Sequence, residues 1–307
     1  MSRTRVGVVG LGRMGLPIAV ALADAGFSVV GFDTLPERNA LATAPSRRNS
    51  RLRVAGSAAD VAASVDILVT VLPGPNEVEE ALLGQHGLVH RMAPGALWLD
   101  LSSNDPTRVE RIAERATAKG IANVSAPMGG GPAKAQSRTL SFFVGGESAA
   151  VERARPVLVA LGGPDAIDHV AESIGAGCTA KLLANLLWFG QAVAVTEAML
   201  LGVSLGVPVD SLRRSLAASA GGSVFIDQYL DSLLAGDYLE NFGIDRCVEE
   251  LEVLVHLAAR KDVPFELSAT VTRLYHDALD RFGAIDGELL AAKLLEQRAG
   301  VQLRAQP

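Results

Sequence analysis

One lysine near the middle of the chain is placed where it could transfer protons. Lys181 closes the segment Gly175-Ala176-Gly177-Cys178-Thr179-Ala180-Lys181, which leads into a long apolar stretch, and Asn185 follows four residues later. On a helix this spacing puts both side chains on one face. Burial there would favour the uncharged amine, which suits proton transfer, although a lysine that reaches solvent at a helix start is the alternative. Lys181 and Asn185 are therefore candidate catalytic residues.

A glycine-rich turn near the N-terminus is typical of a dinucleotide site. The segment Gly10-Leu11-Gly12-Arg13-Met14-Gly15 follows an apolar run and precedes a helical pattern. Glycines at these positions permit a tight bend and let the backbone approach a pyrophosphate, which then lies at the N-terminus of the helix. Asp33, 18 residues past the last glycine, ends the second apolar run and could bind ribose hydroxyls.

Asp33 also bears on the choice of cofactor. A carboxylate at this position would repel a 2′-phosphate, so the sequence favours NAD over NADP. Arg38 and a later basic run raise the opposite alternative; the run consists of Arg47, Arg48, Arg51 and Arg53. A solvated basic face is the default interpretation of such a run.

Three further segments could line a cofactor or substrate site, because ligands of open parallel sheets bind beyond the carboxyl ends of the strands. Leu72-Pro73-Gly74-Pro75 and Asp100-Leu101-Ser102-Ser103 each close an apolar run. Met128-Gly129-Gly130-Gly131 contains three consecutive glycines, which cost conformational entropy and make sense where the backbone itself approaches a ligand. A plain turn, a helix cap and a flexible connection are the respective alternatives.

Short apolar runs that alternate with amphipathic stretches predict the elements that hold these segments. The predicted strands are Val6–Val9, Ser28–Phe32, Ile67–Leu72, Leu97–Leu101, Ile121–Val124 and Leu140–Val144. After about Ile174 helical periodicity takes over. The chain therefore predicts an α/β Rossmann domain with a mostly parallel doubly wound sheet at residues 1–173. An all-α domain follows at residues 174–307, joined through a long interdomain helix.

Composition narrows the class of protein. The net charge of −6 gives no general attraction for nucleic acid or for an anionic membrane.

Glycines interrupt the first apolar stretch, so no signal peptide is expected. Asn185, Gln191 and Glu197 favour a buried helix over a membrane span in the long apolar segment. Cys178 and Cys247 are too few for a disulfide framework and fit a reducing, cytoplasmic location, and the five histidines show no metal-ligand spacing.

Taken in order along residues 5–200, these motifs resemble the β-hydroxyacid dehydrogenase family. That family includes 3-hydroxyisobutyrate dehydrogenase and tartronate semialdehyde reductase, and it shares a fold plan with 6-phosphogluconate dehydrogenase. The resemblance implies reversible hydride transfer between a nicotinamide and the carbonyl carbon of a small-molecule substrate, with Lys181 as general acid/base and Asn185 fixing the substrate. It also implies a homodimer or homotetramer, with the long helix near the interface.

The candidate residues fall into two sets. Those for the cofactor are Gly10, Leu11, Gly12, Arg13, Met14, Gly15, Asp33, Leu72, Pro73 and Ser103. Those for the substrate are Ser103, Met128, Gly129, Gly130, Gly131, Lys181, Asn185, Arg246 and Glu249. No metal is expected.

Departures from the family pattern concern the substrate. Gly129 stands where the family has a serine that contacts a substrate carboxylate, and Glu249 stands where it has a lysine. Ser125 and Ala184 replace an aspartate and an asparagine. We hypothesise that the substrate is larger, neutral or cationic near Glu249; alternatively Arg246, one helical turn earlier, restores a positive group.

Two other functions are compatible with parts of this pattern. An imine reductase shares the two-domain plan and acts on uncharged or cationic substrates, and a non-catalytic dinucleotide-binding module would share the first domain. Lys181 argues against the first, and the presence of both Lys181 and Asn185 argues against the second.

Overall fold

The chain folds into two compact units, Met1–Lys181 and Leu182–Pro307. The computed structural model describes residues 4–44, 51–240 and 242–305. The sequence-derived boundary at 173/174 lies just before the long helix, whereas the division between the compact units falls inside that helix.

Nine strands of the described part of the first unit form one sheet. They are β1 (Arg5–Val9), β2 (Ser28–Phe32), β3 (Leu52–Val54), β4 (Ile67–Thr70), β5 (Leu97–Asp100), β6 (Ala122–Ser125), β7 (Met128–Gly129), β8 (Ser141–Gly145) and β9 (Ile167–Ala171). Their order is β3-β2-β1-β4-β5-β6-β8-β7, with β9 paired to β8. The pairs among the first six strands are parallel, and β8 runs antiparallel to β6 and β7. The order 3-2-1-4-5-6 is that of doubly wound folds, and it confirms the predicted sheet.

Helices cover both faces of this sheet. They are α1 (Gly15–Asp24), α2 (Pro36–Ala42), α3 (Ala58–Ser64), α4 (Pro75–Leu83), α5 (Pro106–Thr117), α6 (Gly131–Ser137) and α7 (Ser148–Gly162). Alternate residues of a strand enter different cores: Val8 packs in the cluster that contains α1 and α7, and Val9 packs in the cluster that contains α3 and α5. Because both faces are covered, β4 and β5 are buried along their whole length.

The described part of the second unit is helical, as predicted. Its helices are α8 (Gly175–Ser204), which begins in the first unit, α9 (Val209–Ala217), α10 (Val224–Gln228), α11 (Leu230–Ala235), α12 (Ile244–Arg260), α13 (Glu266–Phe282) and α14 (Leu290–Ala299). The apolar faces of α8, α12, α13 and α14 share one cluster of buried side chains, in which the rings of Phe189 and Tyr275 lie 4.9 Å apart.

Among the described helices, α8 is the one long and apolar enough to cross a membrane by length and composition. The core helix of a folded unit meets the same criterion. Leu182, Leu186 and Phe189 of α8 are buried in the helical core, and Glu197 interrupts its apolar sequence. We therefore interpret α8 as a core helix.

Candidate functional site

The glycine-rich turn lies where the strand order of the sheet reverses, between β1 and β4. A Cβ atom on Gly15 would lie 1.8 Å from the carbonyl oxygen of Gly10, and one on Gly10 would lie 2.2 Å from that of Val71, so only glycine fits at either position. A Cβ atom on Gly12 would meet only the guanidinium of Arg38, at 3.5 Å. The fold therefore needs Gly10 and Gly15 for itself and leaves the surface at Gly12 open to a ligand.

Helix α1 completes an anion site at this turn. Its first turn contains no acidic residue, and no side chain caps its N-terminus at Met14. The positive end of the helix dipole is therefore not compensated by the chain's own side chains there. An open glycine surface beside such a helix end fits the pyrophosphate of a dinucleotide.

Asp33 follows β2 and is bound mainly by the protein itself. Its Oδ2 accepts hydrogen bonds from the backbone N–H of Leu11 at 2.7 Å and from Arg38 at 3.2 Å, and its Oδ1 accepts one from the N–H of Leu35 at 2.9 Å. The Asp33 side chain is only 4% exposed, whereas that of Arg38 is 42% exposed. Arg38 thus partly compensates the charge that would repel a 2′-phosphate.

Of the basic run that raised the NADP alternative, Arg47 and Arg48 lie outside the described residues. Arg51 and Arg53 are exposed, as expected for a solvated basic face.

A buried carboxylate joins the carboxyl ends of β4 and β5. Asp100 Oδ1 accepts hydrogen bonds from the Thr70 hydroxyl at 2.8 Å and the Ser102 N–H at 3.1 Å, and Oδ2 accepts one from Asn104 at 2.9 Å. Burial raises the pKa of Asp100, and these hydrogen bonds oppose that shift. The Ser102 hydroxyl in turn accepts from the N–H of Leu72 at 3.0 Å, so Asp100 and Ser102 hold the two loops together.

The neighbouring candidates in these loops are more accessible. Ser103, Leu72 and Pro73 are partly exposed, unlike the buried Ser102. These three residues therefore keep a surface that a ligand could contact.

The backbone conformation accounts for two of the three consecutive glycines, Gly130 and Gly131. Met128 and Gly129 form β7 against β8, and a Cβ atom on Gly129 would lie 2.5 Å from the hydroxyl oxygen of Ser141. Gly130 and Gly131 have φ of +117° and +66°, values that side-chain-bearing residues rarely adopt. A role in binding substrate stays a prediction for this loop, because the backbone conformation already requires glycines.

Ser125, the departure next to this loop, is buried against Cys178, with 3.1 Å between the hydroxyl oxygen and the sulfur. Burial raises the pKa of Cys178 to about 12 and that of Cys247 well above its usual value, so both thiols stay protonated and unreactive. Among the described residues, no group of three or more His, Cys, Asp or Glu side chains could hold a metal ion.

Close backbone packing fixes the start of α8. A Cβ atom on Gly177 would lie 2.4 Å from the carbonyl oxygen of Phe143, and one on Gly145 would lie 2.5 Å from that of Ser173. The first turn of α8 therefore rests directly on β8. Lys181, one turn further along, is partly exposed.

Asn185 is held by a residue that the sequence analysis missed. The side-chain amide of Asn185 donates a hydrogen bond of 2.6 Å to Oε2 of Glu250 on α12. Glu250 is 6% exposed and lies on the face of α12 that also buries Cys247, Leu251 and Leu254. An acidic residue inside an otherwise apolar helical stripe was the available signal, because a buried charge is costly unless it has a role.

Arg246 and Glu249, both predicted to contact substrate, bind each other. The Arg246 guanidinium lies 2.8 Å from a Glu249 carboxylate oxygen and 3.7 Å from one of Asp245. Residues 245–250 thus carry three carboxylates and one guanidinium, a formal excess of two negative charges. This excess favours the neutral or cationic alternative over a positive group at Arg246 that restores carboxylate binding.

Two family models match the chain along most of its length. Residues 5–176 match the NAD binding domain of 6-phosphogluconate dehydrogenase, and residues 175–295 match the NAD-binding of NADP-dependent 3-hydroxyisobutyrate dehydrogenase. The chain is 30% identical over 302 residues to 2-(hydroxymethyl)glutarate dehydrogenase of Eubacterium barkeri, which covers 97% of each protein.

Solved structures give the same fold. A 3-hydroxyisobutyrate dehydrogenase of Mycobacterium tuberculosis, solved with L-serine, has a TM-score of 0.85 at 25% identity and covers 95% of this chain and 99% of its own. An imine reductase from a Pseudomonas species has a TM-score of 0.59 at 20% identity, with coverage of 95% and 99%, and is similar in fold alone.

Proposed function

Because this chain belongs to the β-hydroxyacid dehydrogenase family, and is therefore an NAD-dependent oxidoreductase that acts on CH–OH groups, we propose that Lys181 is its general acid/base. The observation that carries the proposal is the start of α8. Its first turn is fixed on β8 by glycine contacts, and it presents Lys181 and Asn185 one helical turn apart. The substrate is a β-hydroxy acid or a related hydroxy or carbonyl compound.

When bound, the nicotinamide supplies the acceptor or donor of the hydride. Lys181 takes the proton of the substrate hydroxyl during oxidation and returns it to the carbonyl oxygen during reduction, so that proton and hydride leave or arrive together. Asn185 orients the substrate oxygen, and its own orientation is set by the hydrogen bond to Glu250. Without that hydrogen bond the amide would rotate more freely.

The cofactor is held by the open turn and the loops beside it. Gly12 and the N-terminus of α1 bind the pyrophosphate, with Gly10, Leu11, Arg13, Met14 and Gly15 as the rest of the turn. Leu72, Pro73 and Ser103 lie at the neighbouring strand ends and would contact the cofactor, and Asp33 would bind the hydroxyls of the adenosine ribose. NAD is the preferred cofactor, although the ion pair of Arg38 with Asp33 lessens the discrimination against NADP.

The proposed substrate residues of the first unit are Ser103, Met128, Gly129, Gly130 and Gly131. After Met128 this segment has no side chains that could cover its own peptide groups. Arg246 and Glu249, as an ion pair on α12, set the charge near the substrate.

Self-association is part of the proposal. Leu183 and Leu201 on α8 are 42% and 64% exposed in the single chain and lie five helical turns apart on one face. A second copy that packs on this stripe would bury it, giving a homodimer or homotetramer, which sedimentation equilibrium would detect. The two buried thiols fit a cytoplasmic location.

Replacement of Lys181 by alanine tests the catalytic role. Lys181→Ala should lower kcat for NAD-linked oxidation by roughly 10²- to 10⁴-fold, the usual contribution of a general acid/base. NAD binding, followed by fluorescence titration, should be unchanged because the cofactor turn is intact. Lys119→Ala, at an exposed lysine, is the matched control and should behave as wild type.

Three other results would contradict the role of Lys181 or favour a different function. Unchanged oxidation in Lys181→Ala would refute the role of the lysine. Reduction of cyclic imines by wild type, without oxidation of any hydroxy compound, would favour the imine reductase alternative, which the negative excess at residues 245–250 also favours. Tight NAD binding without turnover of either class would favour a non-catalytic module.

A further inference from the structure

One oxygen of a buried carboxylate is left over next to the proposed catalytic helix. Glu250 Oε2 is used by Asn185, at 2.6 Å. Glu250 Oε1 is buried and has no hydrogen-bond partner among the described residues. Nearly all buried polar atoms of folded proteins are hydrogen-bonded, so this exception on the carboxylate that holds Asn185 indicates a partner that the chain itself does not supply.

The surroundings decide the chemistry of that partner. A carboxylate oxygen only accepts hydrogen bonds, so the partner must be a donor. Residues 245–250 already carry an excess of two negative charges, which disfavours an anion. Arg246 is bound to Glu249 and Asp245, so its charge is offset locally. A cationic donor satisfies both conditions.

We propose that Glu250 Oε1 binds an ammonium group of the substrate, so that the enzyme acts on hydroxy compounds that carry a protonated amine close to the reacting carbon. This inference rests on the proposed function, because the ammonium site is placed by its nearness to Asn185. The amine remains protonated and takes no part in the proton or hydride transfer. Glu250 is thereby a specificity-determining residue, and it also positions Asn185.

A pair of substrates that differ only in the ammonium group tests the proposal. L-Serine and 3-hydroxypropanoate share the hydroxyl and the carboxylate. Wild type should have the higher kcat/KM for L-serine. Glu250→Gln keeps an oxygen that accepts from Asn185 and replaces Oε1 by an NH₂ group, which repels ammonium. The KM for L-serine should rise roughly 10- to 100-fold, the usual effect of losing a hydrogen bond to a charged group, and by more than the KM for 3-hydroxypropanoate rises.

Glu252→Gln is the control, since Glu252 lies on the same helix but is half exposed and paired with His276. It should leave the preference unchanged. Competitive inhibition of the wild-type oxidation reaction gives a second measurement that needs no variant. L-Alanine, which lacks the hydroxyl, should inhibit more strongly than propanoate.

Three results would overturn the proposal: no preference of wild type for L-serine, equal inhibition by alanine and propanoate, or an equal loss for both substrates in Glu250→Gln. The last result would mean that Glu250 positions Asn185 and does not bind the ammonium group. The proposed function fails separately, if Lys181→Ala keeps full turnover. Full turnover in Lys181→Ala together with a Glu250-dependent preference for L-serine would retain the ammonium site and refute the proton-transfer role.

Discussion

Asp100 in the sheet unit and Glu250 in the helical unit are both buried carboxylates, but the protein satisfies them to different degrees. Both oxygens of Asp100 accept hydrogen bonds, from Thr70, Ser102 and Asn104. Glu250 uses one oxygen for Asn185, and the other is unpartnered within the described residues. A saturated carboxylate belongs to the framework, whereas a half-satisfied one has capacity left for a ligand.

The same contrast separates two glycines of the first turn. Gly15 is required by the carbonyl oxygen of Gly10, which leaves no room for a side chain. Gly12 meets only the end of a flexible arginine, so the fold alone does not require a glycine there. In each pair, the candidate for function is the member that the fold itself does not fully require: Glu250 among the carboxylates and Gly12 among the glycines.

Of the two buried carboxylates, Asp100 should contribute more to stability. Asp100→Ala leaves three donors without their acceptor, and we expect a loss of about 3 kcal/mol in the free energy of unfolding. Urea denaturation followed by tryptophan fluorescence would measure it. Trp98 donates a hydrogen bond to Thr70 and so reports on this network; a Trp188→Phe background removes the other tryptophan.

Glu250→Gln measures how much the second buried carboxylate contributes to stability. It keeps the acceptor for Asn185 and removes a buried charge, so stability should change by less than about 1 kcal/mol. Equal destabilisation by the two substitutions would show that both carboxylates are framework, and would weaken the assignment of Glu250 to substrate.

Local pattern explains what the sequence could predict. The turn from Gly10 to Gly15, the aspartate that follows β2 and the buried strands β4 and β5 all depend on neighbours within a few residues. The sequence does not predict strand β9, because its residues are mostly exposed and show no apolar alternation. Helix α7 was not predicted either, and Pro156 lies inside it.

Long-range pairing explains what the sequence could not predict. Asn185 was expected to face the substrate, but its bond to Glu250 joins residues 65 positions apart. The ion pair of Arg246 with Glu249 could be anticipated from their spacing on a helix, yet the sequence left open whether the arginine would bind the substrate instead. Which buried oxygen remains unpartnered depends on the packing of α8 against α12.

The two glycines give the next prediction. Gly12→Ala should fold normally, because its Cβ atom would meet only Arg38 at 3.5 Å, but the added methyl group occupies the surface assigned to the pyrophosphate. We expect the Kd for NAD to rise roughly 10- to 100-fold, equivalent to about 1.4–2.8 kcal/mol. Titration of the intact protein with NAD would measure it, and circular dichroism would confirm folding.

Gly15→Ala is the contrasting variant and should fail to fold its first unit, given a contact of 1.8 Å. If Gly12→Ala binds NAD as well as wild type does, the open surface at Gly12 is not the pyrophosphate site, and the rule that unused groups indicate function fails at this turn.

The smallest effect concerns the charge of Asp100 itself, because its hydrogen bonds partly oppose the effect of burial. Burial raises the pKa of Asp100 above its ordinary value of 3.8, so the folded state holds the proton to a higher pH than the unfolded chain does. The contribution of this group to stability is therefore complete below pH 3.8 and is lost as the pH rises through the raised pKa. Asp100→Asn cannot titrate, so the free energy of unfolding of wild type, taken relative to this variant, should fall as the pH rises from 3.8 through the raised pKa of Asp100. Urea midpoints of both proteins across that range would test the sign. A relative gain for wild type would mean that the hydrogen bonds from Thr70, Ser102 and Asn104 outweigh burial, and that Asp100 is satisfied more completely as an anion than the comparison with Glu250 assumes.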